Sequence, residues 1–206
     1  MKIKNSLFFG ISLACLLFFS TAVTDVFGSI VGSAHDFSSQ GWSGGKICET
    51  CHTPHGADTS ISSAPLWDHA VTTASFTMYE SPTLVVQPES QPRGVTKLCL
   101  SCHDGTIALD SFAGNVGSTH ISDTADLTTD LSDDHPVSIR WDHQNDGALC
   151  FNCHFSHGEM FSSELPFFEG FVECATCHDV HNSTPFPKLL RKPLEGSEIC
   201  FYCHGK

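Results

Sequence analysis

Positive charge is scarce in this chain. Its 206 residues carry 10 Lys and Arg against 23 Asp and Glu, a formal charge of −13. A surface of that sign repels phosphate backbones, which excludes ordinary nucleic-acid binding. No apolar run occurs after residue 23, so no later segment is expected to cross a membrane as a helix. Methionine is rare too, with three in all, and beyond residue 15 no cysteine stands outside one repeated pattern. Against these shortages stand 11 Cys and 13 His, an excess that any account of function must explain.

Residues 1–28 read as a secretory signal peptide. Lys2 and Lys4 precede an almost unbroken apolar run from Leu7 to Val23, and Val26 and Gly28 are acceptable −3 and −1 residues before Ser29. The competing reading is a retained anchor, for which this run is at the lower limit of length. Cys15 lies inside the run, and Ser12-Leu13-Ala14-Cys15 is a poor lipoprotein cleavage match. The expected mature chain, 29–206, forms a single domain with 8 basic residues, 22 acidic residues and ten cysteines. It is expected to be exported, to the periplasm or to the cell surface and beyond, with no membrane span.

All ten of those cysteines fall into Cys-x-x-Cys-His: Cys48, Cys51 and His52; Cys99, Cys102 and His103; Cys150, Cys153 and His154; Cys174, Cys177 and His178; Cys200, Cys203 and His204. This is the c-type haem attachment signature. Two thiols one helical turn apart lie on one side of the backbone and can add to the two vinyl groups along a porphyrin edge. The imidazole just after them can swing under the ring to the iron. Disulfides or a zinc ribbon also use Cys pairs, but neither requires His after each. At 13 His in 206 residues, five such placements by chance are on the order of one in a million. Five haem c groups, and so five irons, are expected.

The first cysteines of the motifs, Cys48, Cys99, Cys150, Cys174 and Cys200, are unevenly spaced, so the motif recurs without a regular solenoid period. Five porphyrins on so short a chain cannot each be wrapped in an apolar core. The expected fold is therefore a multihaem cytochrome c: mostly irregular coil, short α-helices at the haem motifs, little β structure, and the haem stack as core. Sixteen Gly and ten Pro agree with little regular structure. A short strand is expected at Thr83-Leu84-Val85-Val86. The stretch 104–135 holds seven Asp and no Lys or Arg, and reads as a solvated loop because it lacks a calcium-loop pattern.

His52, His103, His154, His178 and His204 are the expected proximal ligands. Eight other His remain, against Met78 and Met160 as the only thioethers of the mature chain, which argues for two imidazoles on every iron. His55, His157 and His181 each follow a proximal His at the i+3 position. Such a side chain cannot reach the far face of its own porphyrin but can reach a neighbour's. His35 and His135 each adjoin an acidic residue, Asp36 and Asp134, that can orient the imidazole. These five are the distal candidates, with His69, His143 and His120 in reserve. His35 stands well ahead of Cys48, on an arm long enough to ligate a haem of another subunit or one of its own chain.

With these residues placed, the chain resembles the multihaem c-type cytochromes that polymerise into extracellular electron-conducting filaments. The likeness rests on Ser33-Ala34-His35-Asp36, Cys51-His52-Thr53-Pro54-His55-Gly56, Ala64-Pro65-Leu66-Trp67 and Leu98-Cys99-Leu100-Ser101-Cys102-His103-Asp104-Gly105. It continues through Asp133-Asp134-His135-Pro136, Val172-Glu173-Cys174 to His181-Asn182, and Pro187-Lys188-Leu189-Leu190-Arg191-Lys192. The branch it is most similar to has four haems per subunit, each with two His ligands. The resemblance implies haems stacked in alternating parallel and T-shaped pairs, with a neighbouring subunit able to supply a His. The segment Cys150–His157 departs from it as a fifth, inserted motif.

The function expected is electron transfer through closely spaced haems, with no catalytic residues, because iron held by two protein ligands has no open position for substrate. A homopolymer is expected, exchanging electrons with redox partner proteins or extracellular acceptors. A soluble periplasmic five-haem shuttle is the alternative, and a multihaem nitrite or oxyanion reductase a more distant one. Lys188, Arg191 and Lys192 form the one dense basic cluster of the expected mature chain, suited to haem propionates or to solvent.

Overall fold

A computed structural model describes residues 30–84, 86–141, 165–181 and 186–204. The expected signal segment, the third motif (Cys150, Cys153, His154), His143 and His157 all lie outside the described residues.

Turns and loops dominate what is described. Helix α1 spans Gly94–His103 and helix α2 spans Cys174–Cys177. Tight 3-10 turns occur at Phe37–Ser39, Gly41–Ser43, Asp123–Ala125, Pro187–Leu189 and Glu195–Tyr202. Strands β1 (Ile139–Arg140) and β2 (Phe171–Val172) pair antiparallel, Ile139 opposite Val172 and Arg140 opposite Phe171. This is the architecture of a multihaem cytochrome c: mostly coil, short helices at motifs, one minimal sheet. Among the described residues no helix is long and apolar enough to cross a membrane.

The described residues of the strand expected at Thr83–Val86, which are Thr83, Leu84 and Val86, form no strand. Pro82 and Thr83 occupy a turn closed by Leu84 N–H donating to the Ser81 carbonyl at 3.1 Å. Proline presets the φ of such a turn, and this outweighs the β propensity of the short apolar run.

Helix α1 forms where a stretch free of Gly and Pro follows Pro92-Arg93-Gly94, and it buries Thr96, Leu98, Leu100 and Ser101. Past its end Gly105 turns with φ +70°, and a Cβ there would stand 2.8 Å from an Asp126 carboxylate oxygen. Only glycine suits that exit.

Leu100, Phe76 and Leu131 make the one compact apolar cluster among the described residues, with Ala74 and Met78 packed against it. Ten of the buried side chains described are hydrophobic and twelve are polar or charged. Apolar burial by the polypeptide alone is therefore thin. The buried polar groups are tied instead: Thr72 donates to Asp104 at 2.6 Å, and its amide to Ser101 Oγ at 3.0 Å.

Candidate haem centres

The backbone of the motif is the same wherever it is described. The His amide donates to the carbonyl of the first Cys at 2.9 Å in the first motif, 3.0 Å in the fourth and 2.8 Å in the fifth. The second motif lies inside α1, where the same hydrogen bond belongs to the helix. One turn suffices to put both cysteines on one side and the imidazole at the exit. The first motif makes it without any helix.

Each of three motif imidazoles is then oriented by a distant carbonyl. Nδ1 of His52 contacts the Pro65 carbonyl at 2.9 Å, Nδ1 of His103 that of Ala125 at 2.8 Å, and Nδ1 of His178 that of Lys188 at 2.8 Å. An imidazole facing a carbonyl through Nδ1 donates from it, which leaves the Nε2 lone pair for a metal.

Three motif imidazoles face a second imidazole. His35 lies 6.0 Å from His103 between ring centroids, His181 lies 6.2 Å from His52, and His135 lies 6.2 Å from His204. At about 2 Å per metal–nitrogen bond, two imidazoles on opposite sides of one ion have centroids about 6.3 Å apart. Other ring pairs here sit equally far apart, Trp67 and His69 at 6.3 Å among them, so the distance by itself is ordinary and the weight lies in a second imidazole recurring at three motifs. His35 is held down to about 4 by burial and by the nearby His103, His178 and His181, and is neutral at pH 7. Its Nδ1 is buried without a hydrogen-bond partner. Burial likewise lowers His135, whose Nδ1 contacts its neighbour Pro136 carbonyl at 3.0 Å. Neutral imidazole is the form that ligates metal.

The remaining histidines divide. His178 is oriented, but among the described residues no second imidazole faces it. His55, grouped with His181 by spacing, is exposed and faces no imidazole among them either. His120 is exposed, with Nδ1 on the Gly105 carbonyl at 3.0 Å, the same device as at the motif imidazoles. His69, held in reserve as a ligand, is buried, with its ring nitrogens 2.9 and 3.1 Å from the Ala70 and Ala108 carbonyls and its Nε2 also 3.6 Å from Cys102 Sγ.

The cysteines show how the motifs neighbour one another. The Cys99 and Cys174 side chains are neighbours, and each shifts the other's thiol. Burial, then Cys51 and Asp104, push the Cys102 thiol up to about 12. Burial, then Cys177 and Cys200, push Cys203 up to about 11. The described motifs thus run first, second, fourth, fifth. The junctions alternate: second Cys to second Cys, first to first, second to second.

Two sequence features resolve at the periphery. Arg191 turns inward, its Nε donating to the Ala175 carbonyl at 2.8 Å and its Nη1 lying 3.5 Å from Asp179. Lys192 stands over the Tyr202 ring at 5.0 Å. In the Asp-rich stretch the carboxylates shape turns: Asp110 accepts from the Ser118 and Thr119 amides, Asp126 from Thr128, Asp130 from Ser132. Among the described residues no three His, Cys, Asp or Glu side chains converge as a ligand cluster. A four-ligand zinc site is therefore not what these residues assemble, whereas Cys pairs beside opposed imidazoles fit a c-type haem.

Known proteins agree at that level. Residues 166–206 match the doubled CXXCH motif family. Over 193 residues, 91% of the chain, it is 24% identical to the multiheme cytochrome MtrA of Shewanella baltica (strain OS185). The chain spans 50% of the length of that curated relative. Motif, architecture and relative together support the class of multihaem c-type cytochromes, with c-type haem as the cofactor.

Proposed function

We propose that this protein carries electrons along five covalently attached haems, each iron held between two histidines. The observation that carries the reading is the set of three imidazole pairs at 6.0–6.2 Å, each joining a motif His to a His remote in sequence. Cys48 and Cys51, Cys99 and Cys102, Cys150 and Cys153, Cys174 and Cys177, and Cys200 and Cys203 would each hold one group. His52, His103, His154, His178 and His204 are the proximal ligands. His181, His35 and His135 are the distal partners of His52, His103 and His204. Bound there, haem supplies an iron that changes oxidation state without releasing a ligand. The chain's part is to hold neighbouring sites in contact, to fix each imidazole through its Nδ1 carbonyl, and to keep His35 neutral.

We also propose export and assembly into a filament. The nearness of His35 to His103 of its own chain supports it as an intrachain ligand, and the linking ligand is sought elsewhere. His178 is the oriented imidazole with no partner imidazole among the described residues, and His120 is an exposed imidazole with the ligand-like Nδ1 bond. His120 of one copy on the site of His178 in the next would join copies head to tail and make the junction part of the electron path. An enzymatic reading would place its open coordination position at this same His178 site.

Intact mass of the mature holoprotein is expected to exceed the polypeptide by five haem masses, and four or fewer removes at least one site. His120→Ala is expected to keep five haems, abolish filaments in negative-stain images and turn one haem high-spin. Filaments unchanged in that variant reject His120 as the link. Nitrite or carbon monoxide shifting the Soret band of assembled filaments favours the enzymatic reading.

A further inference from the structure

Resting on the haem reading above, we propose that the electron path passes directly from the second motif to the fourth, and that Thr96 and Glu173 are the positioning residues that set this step. The two motifs are far apart in the chain, with the third between them in sequence. In space α1, which carries Cys99, packs on α2, which begins at Cys174.

The contact is made by an exchange of caps. The Thr96 amide, in the first turn of α1, donates to Glu173 Oε2 at 3.1 Å. The Cys174 amide, the first of α2, donates to Thr96 Oγ1 at 3.1 Å. Amides in the first turn of a helix have no partner inside it. Here each helix satisfies one such donor with an acceptor from the other motif's segment. Neither helix can shift along the other without uncoupling both bonds.

The sheet sets this clasp in register. Ser138, just before β1, donates its amide to the Val172 carbonyl at 2.8 Å, while its Oγ faces Glu173 Oε2 at 3.5 Å and accepts from the Arg93 amide at 3.1 Å. Arg93 lies 3.6 Å from Glu173 Oε1, and its guanidinium covers the Phe171 ring at 3.9 Å. Thr96, Ser138 and Glu173 are all essentially inaccessible to solvent. So much buried polar machinery between two attachment turns has no catalytic partner to serve. Its effect is to fix the separation of Cys99 and Cys174.

With haem bound at both sites, one electron would pass from a ferrous iron at the second, leaving it ferric, to a ferric iron at the fourth, making it ferrous. No bond breaks and no proton moves, so the rate depends on the separation that the clasp sets.

The test uses the mature holoprotein with Thr96→Val, which keeps shape and removes the acceptor, and Thr96→Ser, which restores it. Intact mass should still show five haems in both. Electron paramagnetic resonance of the oxidised protein should show spin–spin coupling between irons weakened in Thr96→Val and restored in Thr96→Ser. Coupling unchanged in Thr96→Val overturns the assignment, whereas a wild-type protein without covalent haem overturns the underlying haem reading instead. Should Thr96→Val fail to accumulate, Cys150→Ala with Cys153→Ala decides. Loss of one haem with the coupling kept supports the direct step, and loss of the coupling overturns it.

Discussion

The second and fifth motifs carry the same signature and the same attachment turn, yet their surroundings are opposites. The second sits in a ten-residue helix with Leu98 and Leu100 buried and its Thr96 amide capped by Glu173. The fifth sits in a 3-10 segment whose Gly196 and Ser197 are left-handed, with Cys200 exposed. Arg93-Gly94-Val95-Thr96-Lys97-Leu98 leads into a helix whose Leu100 finds Phe76 and Leu131. Pro193-Leu194-Glu195-Gly196 interrupts the helical pattern and leaves Leu194 61% exposed. The signature therefore defines chemistry, while the flanks decide how far that chemistry is anchored in the protein.

The largest effect expected from this contrast concerns packing. Leu100→Ala removes a side chain that is 1% exposed from the only compact apolar cluster described. It should cost about 2–5 kcal/mol. Leu194→Ala, beside the fifth motif, should stay within about 0.5 kcal/mol. Chemical unfolding of the holoproteins, followed by circular dichroism, measures both. Equal losses would mean that the bound groups and not the flanks anchor the two motifs.

The ease of reading the sequence follows the same division. The five signatures, the coil-rich class and the surplus of His over Met are local or compositional, and needed no fold. The spacing of His181 from His178 predicts a different site for it, and its ring lies beside His52. Which imidazole meets which is another matter. His35 is remote in sequence from His103, and His135 from His204, and no local pattern encodes such separations. The Nδ1 carbonyls of Pro65, Ala125 and Lys188 are backbone atoms and leave no mark in residue identity. Only the fold brings the Ala108 carbonyl and Cys102 Sγ to the His69 ring. Glu173 stood in view next to Cys174, yet its importance depends on Thr96, 77 residues away.

A smaller effect should appear with pH where Glu173 joins the second and fourth motifs. Burial raises Glu173 above its ordinary value of 4.5, while its hydrogen bonds to Thr96 and the Arg93 charge pull the other way and lose. A carboxyl whose folded value is raised favours the fold below the unfolded value and loses that contribution as pH rises through the folded one. Wild-type stability relative to Glu173→Gln should therefore be greatest below 4.5 and fall as pH rises through the elevated folded value. Parallel curves for the two proteins would show that the carboxyl does not titrate on folding.

The smallest effect is expected at the first motif. Lys46 and Glu49 form an ion pair there at helical-type spacing, with side chains 57% and 52% exposed. Water screens such a pair and side-chain entropy opposes it, so Lys46→Ala should cost no more than about 0.5 kcal/mol. Arg93, at the second motif, is 27% exposed and is engaged by Glu169, by Glu173 and by the Phe171 face. Its charge contacts border a buried carboxylate, and breaking such a pair leaves an uncompensated charge in the interior. Arg93→Ala should accordingly destabilise clearly more than Lys46→Ala. Added salt should shrink the Lys46 effect and leave most of the Arg93 effect in place. Unfolding midpoints at low and high ionic strength test this. A Lys46 effect as large and as salt-resistant as that of Arg93 would place the first motif on the same footing as the second.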